Sequence, residues 1–429
     1  MKYNRFFAIV MATALSATAF AETETEENKA EATEVSQASK LNMDNGVIPI
    51  ADDRGFTLQS NDGSFVFKPY LYMQTTANFK YYDDEGLDKA YNQDNIANSG
   101  FAMPYAIIGF TGKAFGKIDY NVCVNAAASG GNILQQAWID YAASKELRFR
   151  VGKFKTPFTH AYLTTLGETL FPSLPTSLMA VCIMPYSLNA VTPGIGTGFD
   201  LGVEMHGFIA NKFGYEVGLW NGTGSGQNGA TKTVSDDIHI PSLLYAGRLT
   251  YQPKGAMPMT QGNPKLQHED KMLIGISANY NVESENESTN DFRAGVEFAM
   301  LKNKWYVGAE AYYMHIGFTD RQKIDDTFNY WGGYAQVGYF VHPQVQIGLR
   351  YDFYDRNGSS KDGFLNRPAA SINYSRVATR PRHRRPRHLH SHGSSDATVR
   401  FLTKKFGYFN EKVYLCIPLC SVTARTDVV

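Results

Sequence analysis

The sequence predicts an all-β fold, a transmembrane antiparallel β-barrel, on three observations. Apolar and polar residues alternate in runs of about ten residues, which is the length of a tilted membrane-crossing strand rather than of the shorter strands of a soluble sandwich. Aromatic residues stand near the ends of these runs. No window carries about 18 uninterrupted apolar residues, so the sequence predicts no membrane-spanning helix.

The alternating runs follow one another through most of the chain. In residues 345–354, Ile347 and Leu349 point one way, and Arg350 and Asp352 point the other. The same pattern occupies residues 65–80, 117–125, 199–208, 244–251, 273–281, 292–300, 305–313 and 334–341. The aromatic residues expected at the membrane interfaces are Tyr81, Tyr82, Trp220, Trp305, Tyr330 and Trp331.

Composition excludes several other classes of protein. The chain has 429 residues, with 41 Lys and Arg against 41 Asp and Glu, and its 27 Phe and 26 Tyr exclude extended disorder. Four cysteines are too few for a disulfide scaffold. Residues 375–429 hold 11 Lys and Arg against 3 Asp and Glu, so the neutrality is a cancellation between an acidic body and a basic tail. No nucleic-acid partner is predicted for the body.

The first 60 residues are predicted to precede the barrel. A basic start, an apolar stretch and Ala19-Phe20-Ala21 predict a secretory signal peptide over residues 1–21. Residues 22–60 are expected to be an acidic, flexible segment, because a polar run rich in Glu buries too little apolar surface to offset its ordering. The barrel, residues 61–374, is therefore expected in a bacterial outer membrane, surrounded by lipid.

Alternation stops at Tyr374, and residues 375–429 form an atypical basic tail. Three interpretations of this tail stay open. Its arginines could bind nucleic acid or anionic lipid, and its histidines (His383, His388, His390 and His392) could bind a metal. Alternatively, the tail is translated out of frame and replaces the native closing strands. That hypothesis predicts a barrel short of about two strands, with an open edge in lipid.

Four segments carry a resemblance to a known family. They are residues 147–158 (LRFRVGKFKTPF), 215–224 (YEVGLWNGTG), 245–253 (YAGRLTYQP) and 346–352 (QIGLRYD). In this order they resemble the phosphate-selective porin O and P family of Gram-negative outer membranes, in the form found in Bacteroides-like bacteria. The resemblance covers roughly residues 60–374, and it implies about 16 strands, short turns at one end, longer loops at the other and a homotrimer.

The resemblance implies a function as well as a fold. It implies a porin, a water-filled channel for passive diffusion of small hydrophilic solutes, with phosphate and other anions as the solutes that the family name suggests. The alternative is a barrel that displays its loops as a surface binding protein or adhesin. No G-x-S-x-G or H-E-x-x-H motif occurs, so no enzymatic activity, metal or cofactor is predicted.

The candidate pore-lining residues are the charged residues at those alternating strand positions whose side chains are expected to face the lumen. Lumen charges set the selectivity of a barrel. The basic candidates are Lys68, Arg148, Arg150, Arg248, Arg293 and Arg350. The acidic candidates are Glu204, Glu297, Glu310 and Asp352, and Asp200 shares their parity. Arginine suits phosphate because its planar fork donates two parallel hydrogen bonds.

Two observations argue against a strong preference for anions. The predicted wall carries both signs of charge. In addition, the family usually has adjacent arginines where this chain reads residues 103–112, and an Arg where it has Phe199. Lys153 and Lys155 extend the basic run of residues 148–155, but Gly152 interrupts the parity and leaves their direction open.

Overall fold

The computed structural model describes eleven stretches of the chain. They are residues 46–52, 55–82, 96–130, 133–183, 199–222, 243–262, 268–281, 290–317, 328–355, 364–375 and 412–417. The predicted signal peptide, most of the acidic segment and the Arg- and His-rich part of the tail lie outside these stretches, so those assignments stay predictions. Within them, no helix is both long enough and apolar enough to cross a membrane.

The described chain is nearly all β, and its strands form one antiparallel sheet. Each strand pairs with its neighbours in sequence, from β1 to β17. The strands are β1 (Ile48–Asp52), β2 (Gly55–Gln59), β3 (Val66–Tyr82), β4 (Ile96–Ala114), β5 (Ile118–Asn125), β6 (Leu134–Ala142), β7 (Arg148–Lys155), β8 (Phe199–Ile209), β9 (Phe213–Trp220), β10 (Leu244–Tyr251), β11 (Lys271–Asn281), β12 (Asn290–Lys302), β13 (Trp305–Gly317), β14 (Phe328–His342), β15 (Val345–Asp355), β16 (Phe364–Ser375) and β17 (Lys412–Ile417). All nine alternating runs of the sequence are strands.

The sheet is inside out compared with a soluble protein. On β10, the apolar side chain of Leu249 is 57% exposed, whereas the adjacent Arg248 is 3% exposed. On β11, Ile276 is 56% exposed and Ser277 is 5% exposed. An apolar outer face and a polar inner face are what a strand needs when lipid lies on one side and a polar lumen on the other. The predicted alternation and its direction are therefore confirmed.

The sheet curves until distant strands approach each other. β3 and β16 are thirteen strand intervals apart in the pairing order, which would place them about 60 Å apart in a flat sheet. However, Gln74 on β3 donates to the carbonyl oxygen of Pro172 (3.2 Å), and Asn373 on β16 donates to that of Leu170 (2.8 Å). Two residues of chain span at most about 7 Å. The inner face therefore surrounds residues 170–172.

The two ends of the curved sheet differ in their connections. At one end the turns are short, and the pairs Phe115-Gly116, Ala210-Asn211 and Asn303-Lys304 have positive φ at both positions. Such turns match the right-handed twist of the strands that they join. At the other end the connections are longer, as between Lys155 and Phe199. The described strands leave the sheet unclosed, since no register joins β17 to β1 or β2.

Two stretches of the sequence behave differently from the expectation. β1 and β2 lie within residues 22–60, the segment predicted to be flexible, where residues 48–50 and 56–58 supply short apolar runs that pair as a hairpin. β17 lies within the atypical tail, and it pairs with β16 over Lys412–Ile417. The chain therefore has strands on both sides of the predicted barrel region.

Two predicted interface aromatics, Trp220 and Tyr330, lie on the inner face, where Tyr330 packs against the cluster that holds Tyr312 and Met314. Trp305 and Trp331 are exposed on the outer face, as expected for aromatic residues at the membrane interface. Trp220 is instead 1% exposed on the inner face, where its ring packs against Phe154 with centroids 5.6 Å apart. Gly202 lies directly across the sheet from Trp220, and a Cβ there would come within 2.4 Å of the indole. The missing side chain lets the indole turn inward.

Candidate functional site

A 28-residue stretch folds into the space that the sheet surrounds. Residues 156–183, called the inserted segment below, follow β7 and hold a short helix α1 (His160–Leu163), a 3₁₀ turn (Leu166–Glu168) and a π-helical turn (Leu178–Ile183). Its apolar side chains Phe158 and Leu178 are buried against Tyr312, Tyr334 and Tyr354 of the inner face. The segment thus occupies part of the lumen.

Three carboxylates of the sheet hold the backbone of the inserted segment. The amide of His160 donates to Glu297 Oε2 (2.5 Å), and the amide of Ala161 donates to Glu310 Oε1 (2.8 Å). Asp352 accepts from the amides of Thr176 and Ser177. The first N–H groups of a helix have no partner within the helix, so these carboxylates satisfy donors that would otherwise be buried without one.

Glycines on the inner face make room for the inserted segment. A Cβ at Gly348 would lie 2.8 Å from Leu170 Cγ, and one at Gly338 would lie 2.9 Å from Leu170 Cδ1. A Cβ at Gly295 would lie 2.8 Å from Thr159 Cγ2. The segment therefore lies so close to the wall that a side chain at any of these three positions would displace Leu170 or Thr159.

A second stretch reaches the inserted segment from the short-turn end. Between β10 and β11, Gln261 donates its amide to Glu168 O (2.7 Å), and its side chain accepts from the amide of Leu170 (3.1 Å). The carbonyl of Pro258 lies 3.2 Å from His160 Nε2. Burial lowers the pKa of His160 to about 4, so the ring is neutral at pH 7. The segment is therefore held both by the wall strands and by this second stretch.

The inner wall from β5 to β8 carries a network of paired charges. Buried Asp140 accepts from Arg148 Nε (3.0 Å), Arg150 Nη2 (2.9 Å) and the ring of His206 (2.9 Å). Arg148 also reaches Asp119 at 2.5 Å, and Arg150 reaches Glu204 at 3.2 Å. The predicted candidates Arg148, Arg150 and Glu204 therefore meet each other on one wall.

Arg248 continues this network toward the inserted segment. Its Nε donates to Glu297 Oε1 at 2.7 Å, and its Nη2 donates to Glu297 Oε2 at 3.2 Å. Glu216 contacts the same guanidinium at 3.4 Å. Glu310 lies directly opposite Glu297 on the neighbouring strand. Arg248 and Glu297 are both buried, and the same carboxylate holds the amide of His160.

The remaining candidates occupy other parts of the inner face. Arg350 donates to Ser173 O (3.0 Å), and its guanidinium lies 4.3 Å from the centre of the Phe171 ring. Arg293 is buried on β12. Lys68 is half-buried opposite Thr111.

Asp200 follows the predicted alternation, whereas the residues after Gly152 do not. Asp200 is buried and accepts from the amide of Gly222 (2.6 Å). Beyond Gly152, which has a φ of 128°, the alternation ends. Lys153 is buried there, and Lys155 donates to Tyr162 O (2.5 Å). The structure thus resolves the two lysine directions that the sequence left open: neither ammonium group lies on the exposed outer face.

Sequence reasoning missed the inserted segment. It treated Glu297, Glu310 and Asp352 only as wall charges, whereas their side chains hold backbone amides of that segment. The available signal was the loss of period-two alternation after Lys155, together with Pro157, Pro172 and Pro175 in a stretch too long for a turn. In the described stretches, no group of three or more His, Cys, Asp or Glu residues could hold a metal ion.

Comparison with a family model decides the relationship of this chain. The model of the family described as "Phosphate-selective porin O and P" matches residues 73–375. The chain belongs to this family. The predicted resemblance is therefore confirmed, and the match covers the sheet from β3 to β16 together with the inserted segment.

Single relatives are more distant. An uncharacterized protein of Aquifex aeolicus (strain VF5) is 22% identical over 244 residues, which are 53% of this chain and 55% of that protein. The chain thus spans about half the length of this relative.

Solved structures that resemble the chain are outer-membrane channels of low sequence identity. The outer membrane channel DcaP of Acinetobacter baumannii is 12% identical with a TM-score of 0.41, over 75% of this chain and 89% of that one. Salmonella typhi OmpF in complex with daunomycin is 10% identical with a TM-score of 0.45, over 76% and 88%. Pseudomonas aeruginosa OccK7 (OpdD) is 9% identical with a TM-score of 0.36, over 77% and 83%.

Proposed function

We propose that the chain forms a water-filled outer-membrane channel for passive diffusion of small hydrophilic solutes. Membership of the porin family and the inside-out sheet indicate an outer-membrane channel rather than an enzyme. The observation that carries the proposal is the polar inner face, which curves around residues 170–172 while apolar side chains cover the outer face. A polar lumen in an apolar shell lets solutes cross without meeting lipid.

The inserted segment is the element that narrows this channel. It touches β3 through Pro172, β12 through His160 and β16 through Leu170. It therefore covers the inner face from β12 to β16 and leaves the wall from β4 to β8 to line the passage. Solutes pass between that wall and the segment.

Charge pairing along the inner face from β4 to β12 supports a weak ion preference. The paired basic residues are Lys113, Arg148, Arg150 and Arg248, and the paired acidic residues are Asp119, Asp140, Glu204, Glu216 and Glu297. With His206 counted as neutral, four positive charges meet five negative charges, which leaves one negative charge. An arginine whose guanidinium group already donates its hydrogen bonds to carboxylates is a poor phosphate ligand. We therefore propose a general diffusion channel rather than a phosphate-specific one.

Changing the balance of positive and negative charges on this wall should change the ion preference of the channel. The double substitution Arg148→Gln with Arg150→Gln removes two positive charges from this wall and leaves Asp140 and Glu204 without their arginines, so we expect a several-fold rise in the permeability ratio of K⁺ over Cl⁻. The measurement is the reversal potential of the purified protein in planar bilayers under a KCl gradient. For the unaltered protein, we expect a reversal potential close to zero.

Two variants serve as controls for this measurement. Asp119→Asn removes one negative charge from the same wall and should shift the reversal potential toward anions. Asp270→Asn removes an exposed charge outside the sheet, between β10 and β11, and should leave the potential unchanged. Strong anion selectivity of the unaltered channel would contradict the proposal that the wall charges are nearly balanced. An unchanged reversal potential in the double variant would contradict it as well. Absence of any conductance would reject the channel.

The assembly proposed with this function is a homotrimer, as the family resemblance implies. The exposed apolar outer face gives room for both lipid and a neighbouring subunit. Chemical cross-linking in native membranes tests it: bands at three times the monomer mass support the proposal, and a ladder that stops at the monomer contradicts it.

A further inference from the structure

Aromatic rings lie on the inner face of β3, β4 and β6. Tyr70 on β3 faces Gly109 on β4, and a Cβ at Gly109 would lie 2.7 Å from the Cζ atom of the tyrosine ring. The hydroxyl end of the ring thus lies over the glycine, where no side chain blocks it. Because the tyrosine is only half-buried, part of its ring remains accessible from the lumen. A partly exposed ring of this kind offers a stacking surface to a passing solute.

Amide side chains connect this ring to a second one. The hydroxyl of Tyr70 donates to Asn121 Oδ1 (2.9 Å), and Asn121 Nδ2 donates to Gln136 Oε1 (3.1 Å). The indole of Trp138 donates to the same Gln136 oxygen (3.0 Å). Trp138 is also half-buried, and the guanidinium of Arg150 lies 4.8 Å from the centre of its ring. The chain of contacts crosses the inner face from β3 to β7.

Two more rings bring this surface to the narrow part of the lumen. Tyr72 and Tyr105 have ring centroids 6.4 Å apart. The hydroxyl of Tyr72 donates to Gln74 Oε1 (2.8 Å), and Gln74 in turn donates to Pro172 of the inserted segment. A Cβ at Gly167 would lie 3.3 Å from the ring of Tyr72. The rings therefore border the inserted segment, where a solute must pass closest to protein.

These residues together have the chemistry that recognises a sugar. Sugar rings present apolar C–H faces, which stack on aromatic rings, and hydroxyl groups, which exchange hydrogen bonds with amides. Phosphate requires unpaired cationic donors instead, and the arginines beside the rings hold Asp140, Asp119 and Glu204. An aromatic and amide surface with balanced neighbouring charges is therefore suited to a neutral, hydroxyl-rich solute.

We propose that Tyr70, Tyr72, Tyr105 and Trp138, held in place by Asn121 and Gln136, form a binding track for linear oligosaccharides across the inner face of β3 to β6. The inference rests on the proposed channel and names the class of solute that the channel favours. Binding on the track is brief and repeated, since each ring contributes one stacking contact. An oligosaccharide in the track would then block the ion current while it is bound.

Current block by maltohexaose in planar bilayers tests the track. We expect a concentration-dependent decrease in current through the unaltered channel, half-complete at a lower concentration than for inorganic phosphate. Tyr70→Leu and Trp138→Leu should each raise the half-blocking concentration about tenfold, because each removes a ring. Tyr70→Phe keeps the ring and should stay within about threefold of the unaltered channel.

Controls separate the track from the fold and from the channel itself. Tyr141→Leu removes an exposed tyrosine from the outer face of β6 and should leave the block unchanged. An unblocked current at all maltohexaose concentrations, or equal block in Tyr70→Leu and Tyr141→Leu, would overturn the track while leaving the channel intact. Tighter block by phosphate would also overturn it. Absence of current in the unaltered protein would reject the channel and, with it, the track.

Discussion

Replacing Arg248→Met should lower the free energy of unfolding by about 3–5 kcal/mol, because it leaves the carboxylate of Glu297 buried without its cation. The lost contacts include two charge-assisted hydrogen bonds, at 2.7 and 3.2 Å. Glu310 lies directly opposite Glu297, so a second buried carboxylate increases the penalty. Urea unfolding in detergent micelles, followed by tryptophan fluorescence, measures the change.

Two variants show whether the buried charge is the cause. The double variant Arg248→Met with Glu297→Gln removes both charges and should recover most of the lost stability. Lys254→Met breaks an exposed ion pair with Asp270 and should cost less than about 1 kcal/mol. If Arg248→Met costs no more than Lys254→Met, the buried pair does not stabilise the wall.

Removing the carboxylates that hold the inserted segment should widen the channel. Glu310→Ala together with Asp352→Ala deletes the acceptors of the Ala161, Thr176 and Ser177 amides. Hydrogen bonds to charged groups contribute about 1.5–3 kcal/mol each, so the detached segment should become at least a hundredfold more populated. We expect a larger and noisier single-channel conductance in planar bilayers.

The matched control for the double variant is Glu146→Ala. This glutamate lies exposed in the turn between β6 and β7, away from the inserted segment, and its removal should leave the conductance unchanged. A double variant with the conductance and noise of the unaltered channel would show that the segment does not depend on these anchors.

Period-two alternation was sufficient to predict most of the sheet. Strands β3, β5, β8 and β10 to β15 each carry it, since lipid and lumen impose opposite polarity on successive side chains. The missed strand β4 (Ile96–Ala114) has small residues on both faces, and the missed strand β6 (Leu134–Ala142) has glutamines at its second and third positions, one on each face. Where neither face is strongly apolar, periodicity gives no signal.

The inserted segment could not be predicted from periodicity, because its contacts are made far along the chain. His160 meets Glu297, and Leu170 meets Asn373. Parity correctly placed Glu297 and Asp352 on the inner face, but it could not show that their partners are backbone amides. For the same reason, parity could not show that Arg148 and Arg150 are already paired with Asp140.

Thiol modification on the inserted segment tests the central claim that this segment narrows a water-filled channel. Thr165→Cys, at an exposed site of the segment, is compared with Ile276→Cys on the apolar outer face, both with the four native cysteines replaced by serine. A charged, water-soluble methanethiosulfonate added during a single-channel recording should lower the current of Thr165→Cys in one step and leave that of Ile276→Cys unchanged. An unchanged current in Thr165→Cys, with the thiol shown by mass to be modified, would contradict the account.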